Sequence, residues 1–191
     1  MVGRFRRSGR GVRARFDPLQ RNLLLSRFDQ LRRLLETAGA DQPMPPVDAD
    51  PLEALVGGAG STAPFEDPAL ARLFPAAYAD PQAAAEFRRF TQDDLRLGKI
   101  ANAIAARDQL AAAEDGRVVL DLPAAEAWLS ALNDLRLGLG ARLDVTEETE
   151  RELDDLDPEA PRSAELLEYF WLGYVLETLV EALAGSGRGS D

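Results

Sequence analysis

Three times the chain sets an aspartate at or next to a proline just ahead of a periodic apolar run: Asp17-Pro18, Asp80-Pro81 and Asp121-Leu122-Pro123. An aspartate on extended backbone accepts hydrogen bonds from the first free N–H groups of a helix. Proline in the first helical turn gives up only a donor that would have no helical partner. Each pair is a helix start, so the fold is mainly α. After Asp17, Leu24, Phe28, Leu31 and Leu35 fall on one face, which predicts a helix ending near Gly39. Asp80 opens a long helix to about Ala113, and Asp121 opens one that ends between Gly140 and Leu143. A last helix is expected from Ser163 to Ala184, making about four main helices. DPALARLFP (67–75) adds a short one stopped by Pro75.

Two stretches break the helical pattern. GRFRRSGRGVRARFDP (3–18) reads as a hairpin around Ser8-Gly9, with Val12, Ala14 and Phe16 alternating against Arg13 and Arg15. GRVVLDL (116–122) is a lone β segment that needs a partner. The hairpin is the good candidate, so a small antiparallel sheet is expected from the hairpin plus a strand near 117–120.

The expected organisation is one helical domain over 1–184 with a flexible connection near 40–67 and a disordered tail at 185–191. The connection is rich in Pro, Gly and Asp and has room for a short helix at 51–56. TEETERELDDLDPEAPRS (146–163) reads as an acidic connector.

Composition narrows the chemistry. Cysteine and histidine are both absent, which removes disulfides, thiol nucleophiles, redox thiols, imidazole bases and the Ser-His-Asp arrangement. Carboxylate sites for Mg²⁺ or Ca²⁺ stay chemically open, but EETERELDDLD (147–157) lacks the calcium-loop spacing. GGAG (57–60) lacks the strand and the Lys-Ser/Thr of a phosphate-cradling loop. No enzyme class, metal or cofactor is expected.

Net charge is −11 but unevenly placed. Residues 1–33 carry ten arginines against Asp17 and Asp29, a balance of +8, and the remainder carries −19. One reading docks this basic edge on the acidic body or leaves it solvated. The other makes Arg4, Arg6, Arg7, Arg10, Arg13 and Arg15 an arm for nucleic acid or an acidic partner. The most apolar stretch, 166–185, is interrupted by Glu168, Glu177 and Glu181, so no membrane span is expected. With no secretory signal pattern, the expected location is the cytoplasm.

The pentapeptide Asp-Leu-Arg-Leu-Gly occurs at 94–98 and again at 134–138. In the second copy Leu135 continues the stripe Ala125, Trp128, Leu132 and Leu139. In the first, the best stripe is Phe87, Phe90, Leu97, Ala101 and Ile104, which runs through Asp94 and sets Leu97, not Leu95, inward. The copies are about 200° out of phase on a helical wheel, so the repeat reads as chance. Asp94 is either a buried paired carboxylate or the point where the stripe meets solvent, the second being favoured. Asn133, Asp134 and Arg136 lie beside or opposite the Leu132/Leu135 face and are expected to be accessible, which makes them candidates for partner contact. The last helix carries apolar residues on two sides, including Leu167, Trp171, Tyr174 and Val175. It is therefore either central in the core or the face of a homodimer.

DPALARLFPAAY (67–78), EFRRFTQDDLRLGK (86–99), GRVVLDL, AEAWLSALNDLRLGLGARLDVTEE (125–148) and YFWLGYVLETL (169–179) follow one another in a characteristic order. In that order the chain resembles an actinobacterial family of unknown function that includes the oxidative-stress regulator AosR. The resemblance covers nearly the whole chain and centres on the Trp128–Gly140 block. It implies a cytoplasmic bacterial regulator working through protein partners, in transcriptional control of a stress response. The cysteine-based redox mechanism of the AosR group has no counterpart here, since the chain has no cysteine.

Overall fold

The computed structural model describes residues 3–40, 65–149 and 160–185. The expected connection with its short helix at 51–56, most of the acidic connector and the tail beyond Gly185 lie outside these residues. The chain runs β1 (Arg6–Ser8), β2 (Gly11–Arg15), α1 (Pro18–Ala40), α2 (Pro68–Leu73), α3 (Pro81–Ala112), a 3₁₀ turn (Glu114–Gly116), β3 (Arg117–Leu120), α4 (Leu122–Arg142) and α5 (Pro161–Ala184). The fold is mainly α with a small antiparallel sheet, as the sequence predicts.

The aspartates cap as expected. Asp67, Asp80 and Asp121 each accept from backbone N–H groups of the first turn that follows. At α1 the cap is reciprocal: Gln20 N–H donates to Asp17 Oδ1 at 2.8 Å and Asp17 N–H donates to Gln20 Oε1 at 3.2 Å. The last helix starts at Pro161, two residues ahead of the expected Ser163, because proline again occupies the first turn.

The sheet order is β1-β2-β3, with Arg13 opposite Arg6 on one side and Val119 on the other. Period-two alternation sends Phe5, Val12, Ala14, Phe16, Val118 and Leu120 inward, where all are buried. Closure depends on Gly116, whose φ is +67°. It accepts from Phe16 N–H at 2.9 Å, and a Cβ there would stand 2.1 Å from Phe16 O.

Helix α4 is the hub, packing against α2, α3, α5, α1 and the sheet. Its Trp128 is fully buried among Phe5, Phe16 and Phe28, with ring centroids 5.6 to 5.9 Å away. The indole N–H donates to Gln109 Oε1 at 2.7 Å, so the polar end of the ring is satisfied. Leu24, Phe28, Leu31 and Leu35 of α1 all face this core. Helix α5 lies mostly in the core through Leu172, Val175 and Leu179, while Leu167, Tyr174 and Val180 stay exposed. Phe5 N–H donates to Thr178 Oγ1 at 3.1 Å and ties the hairpin to α5.

One expectation is overturned. The α3 stripe of Phe87, Phe90, Leu97, Ala101 and Ile104 faces solvent, and the buried side is Ala84, Gln92, Ala103, Ala106 and Leu110. Lys99 sits on the inner side with Ala103 and Ala106 and reaches across to α4.

Candidate functional site

The two aspartates of the repeated pentapeptide have opposite fates. Asp94 is exposed, at the outward edge of α3. Asp134 is 3% exposed and accepts from Lys99 Nζ at 2.6 Å. Its expected accessibility is therefore corrected: α4 is packed on several sides, and this position turns towards α3. Burial raises the Asp134 carboxyl above its ordinary range, and the Lys99 hydrogen bond and charge oppose that rise. The second oxygen, Oδ2, is buried without a hydrogen-bond partner.

Asn133 is half-buried. Arg136 is likewise partly covered: its guanidinium lies 4.8 Å from the centroid of the Tyr169 ring, and its Nε is buried without a partner. Gly140, one turn on, leaves room for that ring, since a Cβ there would meet Tyr169 Cε2 at 2.8 Å. The three candidates thus belong to the α4 packing, with Asn133 and Arg136 reaching the surface in part.

Asp134 lines a cavity of about 60 Å³ together with Arg27, Leu135, Arg142, Glu168 and Leu172. That volume suits a few water molecules and is too small for a metabolite. On its wall Arg27 makes a two-pronged pair with the largely buried Glu168. The Glu168 hydrogen bond raises the Arg27 pKa further. Among the described residues no group of three or more carboxylates converges as a metal site would require. Among the same residues no helix is long and apolar enough to cross a membrane.

The arginine arm is folded into the sheet and divides in two. Arg4 and Arg7 turn towards α5: Arg4 lies 3.7 Å from Glu181, and Arg7 donates to the Gly185 carbonyl. Arg6, Arg13 and Arg15 stand on the outer face with Arg10 in the turn, all exposed. Register places Arg6 opposite Arg13, and Arg15 opposite Arg117. Like charges directly opposite each other destabilise a sheet, so this face carries two unfavourable cross-strand pairs. Val119 is the apolar residue among them, and the strands present no aromatic ring there.

Three participants escaped the sequence reading: Lys99, Arg117 and the Arg27–Glu168 pair. Lys99 had a signal, being the one lysine beside 21 arginines. Arg117 had another in the alternation of GRVVL.

No solved structure matches the chain. A protein of Mycobacterium tuberculosis named oxidative stress regulator AosR is 31% identical over 194 residues, covering 94% of this chain and 85% of its own length. The protein of the same name from Mycobacterium bovis matches to the same extent. A family model described as "Domain of unknown function (DUF2017)" matches residues 2–183. With nearly its whole length matched, the chain belongs to the DUF2017 family.

Proposed function

We propose that this chain is a non-enzymatic cytoplasmic regulator acting through protein contacts in a stress response, and that it works without a thiol switch. The observation that carries the reading is similarity to relatives named oxidative stress regulator across 94% of the chain. The absence of cysteine from the sequence supports the second half. The outer face of the sheet, with Arg6, Arg13, Arg15 and Arg117, is the surface on which an acidic partner would relieve the two like-charge pairs.

The test is transcript profiling of the native host under peroxide, with the gene deleted and then restored. Restoration by the wild type and failure by a chain with Arg6, Arg13, Arg15 and Arg117 changed to Ala is the expected result. Identical transcripts in deleted and intact cells would refute the regulatory reading.

The second reading is a nucleic-acid-associated regulator using Arg4, Arg6, Arg7, Arg10, Arg13 and Arg15. The same exposed arginines favour it. The lack of aromatic rings on the strands' outer face weighs against base stacking and leaves phosphate contacts alone. Retention of a DNA duplex at low salt, lost in the arginine variant and at moderate salt, would favour this reading over the first.

A further inference from the structure

Among the described residues the three-stranded sheet has one closed edge and one open edge. Along β1, Phe5 N–H donates to Thr178 Oγ1 and the Arg7 side chain donates to the Gly185 carbonyl, so α5 covers that side. β3 forms the other edge. The bond from Phe16 N–H to Gly116 O fixes the phase of the β2–β3 ladder. Opposed antiparallel residues alternate between bonded and non-bonded pairs. Val118 and Leu120 therefore turn their backbone groups to β2, and Arg117 and Val119 turn theirs away from it. Arg117 N–H bends back to Glu114 O. Among the described residues nothing pairs with the Arg117 carbonyl or with the N–H and carbonyl of Val119. Val119 itself is 69% exposed. A groove of about 510 Å³ lies along this edge, lined by Val118, Val119 and Leu120 and by Gln109, Ala112 and Ala113 from the end of α3.

We infer that the β3 edge takes up an extended, carboxylate-bearing segment of a partner protein as a fourth, antiparallel strand. Unpaired edge N–H and carbonyl groups are matched by another strand, whose main chain supplies the bonds while its side chains set specificity. Charge selects the occupant. Arg117 stands outward beside Arg15, and Arg13 beside Val119, so carboxylates on the outer side of the new strand meet a row of arginines. A second copy joined at this edge would set Arg117 against Asp121, but it would also add its own Arg6, Arg13, Arg15 and Arg117 to the same face. An acidic segment lowers that charge and a second copy doubles it. Pairing then fixes the pattern. The residue opposite Val119 shares its outward side and is apolar, and the residue two further on stands opposite Arg117 and is Asp or Glu. The residue between them turns into the groove, where Ala112 and Ala113 leave room for an uncharged side chain and Glu114 and Asp115 disfavour an acidic one.

Strand addition here rests on the protein-contact reading of the same arginine face. Its test pans a library of random heptapeptides against the full-length chain. Enriched sequences are expected to share the order apolar, uncharged, acidic. A synthetic peptide of that sequence, N-methylated at the apolar residue, should bind about tenfold more weakly, because that N–H is the one donated to the Val119 carbonyl. N-methylation of the next residue, whose N–H points away from β3, should change little. Val119→Pro removes an N–H that has no partner among the described residues and should also weaken binding about tenfold. Circular dichroism and the melting temperature check that this variant is folded, and the N-methyl pair reads the wild-type chain whatever the variant does.

No enrichment overturns strand addition, and so does enrichment of basic residues in the acidic place. A peptide indifferent both to the N-methyl position and to Val119→Pro overturns it as well. If such a peptide is still lost when Arg6, Arg13, Arg15 and Arg117 are changed to Ala, the acidic-partner reading survives alone. Peptide binding that holds while transcripts are identical in deleted and intact cells would end the regulatory reading and leave the edge site standing. Retention of a DNA duplex at moderate salt in preference to every enriched peptide would assign the face to nucleic acid. Self-association that Val119→Pro abolishes would assign the edge to a second copy. Either result overturns the proposal.

Discussion

Lys99 Nζ lies 2.6 Å from Asp134 Oδ1, joining α3 to α4 through the first residue after one copy of the pentapeptide and the first residue of the other. Asp134 is the more deeply buried partner. Replacing Lys99 with Met would leave a buried carboxylate unpaired, at a cost of about 3 kcal/mol in urea unfolding. Adding Asp134→Asn should restore most of it, and the double-mutant cycle isolates the coupling.

Asp134 also gives a pH signature. Its folded-state pKa is raised from 3.8, so the proton binds more tightly to the folded chain. The resulting contribution to stability is fully present below the unfolded value and is lost as pH rises through the folded one. Wild type should therefore gain stability relative to Asp134→Asn as pH falls from neutral towards the carboxylate range. Paired urea titrations across that interval check it. A constant difference would contradict the raised value.

Trp128 holds together Phe5, Phe16 and Phe28, which come from the N-terminal arm, the segment after β2, and α1. Trp128→Ala is expected to cost about 4 kcal/mol. Trp128→Phe should cost about half as much, because it keeps a ring but strands the Gln109 acceptor. Chemical denaturation of both variants measures the difference.

Gly116→Ala meets both a left-handed backbone and the Phe16 carbonyl. The expected loss is about 3 kcal/mol, or roughly 10 °C in melting temperature for a chain of this size. Gly98, which has open space around its Cβ position, is the matched control. Gly98→Ala on the exposed side of α3 should be neutral or stabilising by up to about 1 kcal/mol.

Two ion pairs that α5 makes among the described residues should separate cleanly. Arg27→Met leaves the largely buried Glu168 without its partner and should cost about 2 to 3 kcal/mol, little affected by salt. Arg4→Ala at the exposed Glu181 contact should cost under about 0.5 kcal/mol. Thermal melts at low and high salt distinguish them.

Local signals made the helices legible. Asp17, Asp80 and Asp121 marked the starts, and the Leu24–Leu35 stripe pointed inward as its spacing required. The β segment at 117–120 found the hairpin because an isolated strand has to pair. The roll of α3 was not legible, since its apolar stripe is the better candidate for burial by pattern alone. The inner side instead carries Lys99, whose ion-pair partner lies 35 positions on, and no periodicity encodes that contact. Asp134 was misjudged for the same reason: a helix packed on several sides buries polar positions that a single-stripe wheel assigns to solvent. Arg136 shows the intermediate case, since the tyrosine that covers it comes from another helix.

Phe5 hydrogen-bonds Thr178 across 173 positions, and Arg15 is registered with Arg117 across about a hundred. During synthesis β1 and β2 are made together and pair with each other, yet the second edge of β2 gains its neighbour only after β3 is made. Phe5 is sealed only when α5 arrives. Loop closure over such separations is slow. A nascent chain would therefore carry one edge of its hairpin unpaired through much of translation, and Phe5 would stay without its Thr178 partner until the last helix is made.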